Sequence, residues 1–104
     1  MSVIRLYSTL PRPTEAQVIG KQALRSGTSV GAHYQEATRA RSNAEFVSKI
    51  ECGLQELEET RYWLELMTES GIVTQEKLQD LFREAEELTS IFVASAKTAK
   101  KGIR

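Results

Sequence analysis

Proline is nearly absent from this chain of 104 residues: Pro11 and Pro13 are the only two, and nothing after them breaks a helix so strongly. A β-rich chain would carry more such punctuation, so long helices are expected from residue 14 onward. Cysteine occurs once, at Cys52, which excludes an internal disulfide and agrees with a reducing compartment. Cys52 lies inside a helical pattern and reads as a small packing residue. Histidine also occurs once, at His33, whereas a di-metal bundle needs two Glu-x-x-His pairs. No apolar run approaches the ~20 residues that cross a bilayer. The opening Met1-Ser2-Val3-Ile4-Arg5 reaches a charge before any signal-peptide core develops, so a cytoplasmic protein is expected.

What is present suits one soluble domain, residues 1–104. Hydrophobic residues make up 40% and charged residues 27%, enough for one modest core at this length. The net charge of zero hides an uneven distribution. Residues 1–44 are basic, residues 45–96 are strongly acidic, and Lys97, Lys100, Lys101 and Arg104 make the tail basic again. Such blocks fit segments that pair with one another or with another subunit.

Val3, Ile4, Leu6, Tyr7 and Leu10 suggest a short first helix, stopped by Pro11 and Pro13. Thr14 with Gln17 resembles a capping pair, and Ala16, Ile19, Ala23, Gly27, Val30, Tyr34 and Ala37 then recur at steps of three and four, giving a helix to about Ala40. Ser42 with Glu45 forms a second capping box before the stripe Phe46, Ile50, Gly53, Leu57, Thr60, Leu64 and Met67. Gly71 ends that helix, and Thr74 caps the last, whose stripe is Leu78, Leu81, Ala85, Leu88, Phe92, Ser95 and Ala99. Steps alternating three and four average 3.5 residues, the seam of helices packed nearly parallel. The expectation is an all-α, up-and-down four-helix bundle whose first helix is short. Ile19, Ala23, Ile50, Leu57, Leu64, Leu81, Leu88 and Phe92 should form its core.

The stretch Arg25–Ala37, RSGTSVGAHYQEA, is unusual for a helix because it holds two glycines and three hydroxyl residues. Gly27 and Gly31 match neither a Walker loop nor a dinucleotide loop. No triad signature surrounds Ser26, Thr28, Ser29 and His33, and hydroxyls within helices bond back to the preceding turn. Each glycine costs a helix roughly 1 kcal/mol relative to alanine, so Gly27 and Gly31 are expected to mark close helix contact that offsets the loss. The paired Glu58 and Glu59 read as a solvated or salt-bridged face. No catalytic, metal or cofactor residues are expected. The candidate nucleic-acid contacts are Arg25, Arg39, Arg41, Lys97, Lys100 and Lys101. There is no interleaved aromatic platform, so sequence-specific reading is not expected.

Three stretches, RSGTSVGAHYQEA (25–37), SNAEFVSKI (42–50) and EETRYWLELM (58–67), carry a family resemblance. Together they resemble the bacterial four-helix bundle proteins encoded by intervening sequences in 23S ribosomal RNA genes. That family also includes the accessory variability determinant of diversity-generating retroelements. The resemblance spans about Val3 to Phe92. It implies a bundle that assembles as a homopentamer, has no enzymatic activity of its own and, in the retroelement members, partners nucleic acid (RNA or DNA) and a reverse transcriptase. The family usually carries asparagine where His33 stands and arginine where Gln35 stands, which removes a positive group here. Its first helix is also longer. The near-zero net charge leaves only local basic patches, so the retroelement role does not transfer directly. An alternative is a protein-binding adaptor whose acidic third helix (Glu51, Glu56, Glu58, Glu59, Glu65, Glu69) docks a basic partner. An enzyme with a site in the bundle core is a third reading, which stoichiometric metal in the purified protein would support.

Overall fold

The computed structural model describes residues 3–10 and 14–102. They form four helices: α1 (Val3–Ser8), α2 (Thr14–Thr38), α3 (Asn43–Glu69) and α4 (Gln75–Lys100). No strand occurs among the described residues. Pro11, Pro13 and Arg104 lie outside them. The short connections at 39–42 and 70–74 make α2, α3 and α4 run up, down and up, in a rod of 48 × 20 × 16 Å.

Local chemistry sets the helix ends. Ser42 accepts a hydrogen bond from the Glu45 N–H at 3.1 Å, and the Glu45 carboxylate reaches back to the Arg41 N–H at 3.5 Å. At the other end of α3, Gly71 takes φ +74°, a left-handed conformation that glycine adopts without a Cβ penalty. That turn lets the Gly71 N–H reach the Thr68 carbonyl at 3.1 Å and the Ile72 N–H reach the Met67 carbonyl at 3.0 Å, closing the helix with a Schellman motif. Thr74 occupies the N-cap of α4 with extended backbone, but its hydroxyl makes no capping bond, contrary to expectation. The Lys77 N–H that it would have served is held by the Thr74 carbonyl at 3.1 Å.

The central helix is α3, packed against both α2 and α4, while α2 and α4 hardly approach one another. Six of its expected seam residues, Ile50, Gly53, Leu57, Thr60, Leu64 and Met67, are buried. The core has two parts. The lower one joins Val3, Leu10, Ala23, Leu64, Met67, Leu78 and Leu81, with Ile19, Trp63 and Phe82 packed around it. The upper one joins Val30, Ala37, Ile50, Leu57, Ala85, Phe92 and Ala96, with Phe46, Leu54 and Leu88 at its edge. Ile19 and Leu88, expected in the core, are thus half-buried at its margin. Between the two parts lie Ser26 and Thr60, fully buried, with their hydroxyl oxygens 2.9 Å apart. One hydroxyl proton lies between these oxygens and the other is given to a helix carbonyl, so no buried polar group is stranded there.

α1 lies along α2 in the lower half. A Cβ on Gly27 would stand 2.8 Å from Val3, and one on Gly20 would stand 2.3 Å from Leu10 and 3.1 Å from Tyr7. Gly31 differs from the expectation: no described residue lies within 4 Å of where its Cβ would be. Tyr34 is 49% exposed rather than core, since it faces the same unfilled region and stacks on Phe92 from outside, with ring centroids 5.9 Å apart. The close glycine of the upper half is Gly53, where a Cβ would meet the Phe92 ring at 2.6 Å.

Candidate nucleic-acid interface

The up-down-up path brings the α2–α3 turn and the C-terminal end of α4 to one end of the rod. Arg39 and Arg41 sit in that turn, Lys97 and Lys100 in the last turn of α4, and Lys101 caps it. Asn43, Ala44 and Val47 face Ala99, Lys100 and Gly102 across a shallow depression, which fixes the two segments side by side. The last turn of a helix favours cations through its dipole, so the lysines also suit their helix end.

The six basic candidates have different surroundings. Arg39, Arg41, Lys97 and Lys101 are exposed, and their charged groups form no ion pair among the described residues. Lys100 reaches the Glu51 carboxylate of α3 at 3.5 Å. Arg25 stands apart, midway along α2, where it bridges to Glu59 and, at 3.5 Å, to Glu56 of α3. Glu59 also accepts from the Trp63 indole N–H at 3.1 Å, so Arg25 belongs to a latch between two helices. Geometry therefore brings five candidates together and leaves Arg25 out.

Next to the basic end, Lys49 of α3 meets Glu36 of α2 at 2.7 Å. The hydrogen bond from Lys49 and its charge hold the Glu36 carboxyl below the usual carboxylate range, and Glu36 in turn raises Lys49. His33 Nδ1 lies 3.5 Å from the same carboxylate, and a Cβ on Gly53 would stand 3.7 Å from the His33 Cβ. The nearby hydroxyls are engaged locally: Ser29 donates to the Arg25 carbonyl at 2.9 Å, and Thr28 lies 2.8 Å from that of Leu24. Neither is directed at His33. Cys52 is half-buried. No three His, Cys, Asp or Glu side chains are grouped to hold a metal ion among the described residues, and no described helix is long and apolar enough to cross a membrane.

One feature had no counterpart in the expected sites. An apolar groove opens between α2 and α4 above α1, floored by Gly31 and Val30 and flanked by Ile4, Tyr34, Leu88 and Ile91. A signal for it existed in the sequence, since Gly20, Gly27 and Gly31 fall on one face of α2.

A chain whose described residues form four helices, the first short, with a basic end, belongs by class among small all-α helical bundles. The particular family follows from comparison. A family model described as 23S rRNA-intervening sequence protein matches residues 1–94, and the chain belongs to that family. A solved structure, a protein of unknown function from the S23 ribosomal protein family of Bacteroides thetaiotaomicron VPI-5482, is 36% identical over 93% of this chain and 90% of its own, with a TM-score of 0.87. Neither is described as an enzyme. Among curated proteins none matches.

Proposed function

We propose that this protein is a non-enzymatic bundle that assembles with copies of itself, as a homopentamer, and serves as a structural or nucleic-acid-associated accessory, cytoplasmic factor. The observation that carries the reading is the unpaired cluster Arg39, Arg41, Lys97 and Lys101 at one end of the rod. Cations without carboxylate partners are available to phosphate oxygens, and phosphate contact needs no sequence-reading groups. Assembly supports the same role, because repeating a weak basic patch multiplies the contacts to one polyanion. The family resemblance adds a reverse transcriptase as a protein partner.

Titrating a labelled single-stranded RNA at several salt concentrations tests the proposal. The slope of log affinity against log salt should fall by about 0.7 for each contacting basic residue replaced by alanine. Arg39→Ala, Arg41→Ala, Lys97→Ala and Lys101→Ala together should abolish binding, while Arg25→Ala leaves the slope unchanged. Absence of binding at low salt, or equal binding by the fourfold variant, refutes it.

A second reading has a specific observation behind it. Glu65, Glu76 and Glu86 surround a depression at the junction of α3 and α4. Of the acidic α3 residues, Glu56 and Glu59 are occupied by Arg25 and Glu51 faces Lys100, whereas Glu58, Glu65 and Glu69 remain exposed. Salt-sensitive capture of a basic protein, without RNA affinity, would favour this adaptor role.

A further inference from the structure

The three long helices differ most in charge close to the basic tip. Descending from it, α3 carries Glu45, Glu51, Glu56, Glu58 and Glu59, never more than six residues, or about 9 Å of helix axis, apart. α4 holds no carboxylate after Glu87, which lies ten residues, about 15 Å, below Lys97. That gap exceeds the screening length of roughly 8 Å at physiological salt, so the last turns of α4 keep a positive field that α3 cancels. α2 offers no lysine or arginine between Arg39 and Arg25, and Arg25 is bridged to Glu59. Ser90, Ala94, Lys97 and Lys101 are all exposed, and their spacing of four, three and four residues lines them up on one face of α4. Lys100 turns toward α3 instead, where Glu51 meets it at 3.5 Å. Both partners of that pair are half-exposed, so it is weak, yet it sets a carboxylate at the α3 edge of the tip.

From this we infer that a single-stranded phosphate chain gripped at the tip leaves it along the outer face of α4, over Lys101, Lys97, Ala94 and Ser90, and is turned away from α3 by Glu51. The inference rests on the tip being a polyanion site, as proposed above, and adds the path of the strand. Descending α4, the phosphates meet two cations about 6 Å apart along the axis, then a neutral stretch, and stop short of Glu86 and Glu87. From Lys101 to Ser90 the path is about 16 Å long, which extends the contact beyond the tip. A duplex, with a persistence length of about 500 Å, does not turn from the end of a rod onto its side within that distance. A flexible single strand does.

Binding of a labelled oligouridylate to the full chain, with circular dichroism to confirm helicity, tests this. Ser90→Lys should steepen the salt slope by about 0.7, and Ser90→Glu should weaken binding by about fivefold or more. Gln55 is exposed on α3 between Glu51 and Glu58. Gln55→Lys and Gln55→Glu should bind within about twofold of wild type, and the Ser90 variants should leave the affinity for a duplex RNA unchanged to the same degree. If the Ser90 variants match wild type while the fourfold tip variant does not bind, the α4 path is wrong and the tip remains the site. Equal shifts at Ser90 and Gln55, or equal shifts for duplex and single strand, also overturn the path. A wild type that binds no RNA at low salt overturns both the path and the site.

Discussion

The two halves of the rod solve the same packing problem with different means. Below the Ser26–Thr60 pair, α1 closes the bundle, and large aliphatic side chains from every helix meet. Above it the described residues supply three helices, and small residues fill much of the core: Ala37, Ala85 and Ala96 let the backbones draw together, and Phe92 is the large buried aromatic. The lesson is that the size of the core residues sets how closely the helix backbones approach. The upper half also carries the apolar groove beside Gly31 and Tyr34.

Breaking the upper half should be easiest at its single large anchor. Phe92 covers Gly53 and stacks on Tyr34, and it is the aromatic side chain buried within the upper cluster. Phe92→Ala should cost about 3–5 kcal/mol in urea unfolding. A loss under about 1 kcal/mol would mean that the upper core closes without it.

The glycines sharpen the comparison at a smaller scale. Alanine at Gly53 would press on a ring held between two helices, so Gly53→Ala should destabilise by about 1–2 kcal/mol despite its better helix propensity. Alanine at Gly20 would meet the flexible end of Leu10 on a six-residue helix that can shift. Gly20→Ala should therefore stay within about 1 kcal/mol of wild type. Equal losses at both positions would show that α1 is held as firmly as α4.

The smallest effect is expected at the boundary itself. Ser26→Ala and Thr60→Val should each cost about 1 kcal/mol, and the double variant should cost less than the sum, because removing both hydroxyls strands neither. Strict additivity in denaturant melts would mean that the two halves are not coupled through this bond.

Much of the fold was legible in the sequence, for reasons visible in single residues. α3 has neighbours on two sides, so its apolar spacing had to be continuous, and Ile50 through Met67 are buried as the stripe implied. Ser42 and Gly71 act through local geometry that a few residues encode. Tyr34 misled because apolar spacing marks one face of a helix without showing what packs on it. Near the end of α4, Ala96 rather than Ser95 turns inward, since a repeat of 3.5 drifts from the true 3.6 over several turns. The basic candidates divided for a related reason. Whether Arg25 meets Glu59 depends on the register of α2 against α3, and a single sequence does not display that register.

The placement of the free cations on a tip of a long rod governs the geometry of the proposed phosphate contact. Met end-on, the rod presents a footprint of only 20 × 16 Å, room for about five or six phosphates of one strand at 3.4 Å spacing. One copy would grip a polyanion weakly and let go quickly. Copies standing side by side, tips aligned, would form a stamp that holds a much longer stretch.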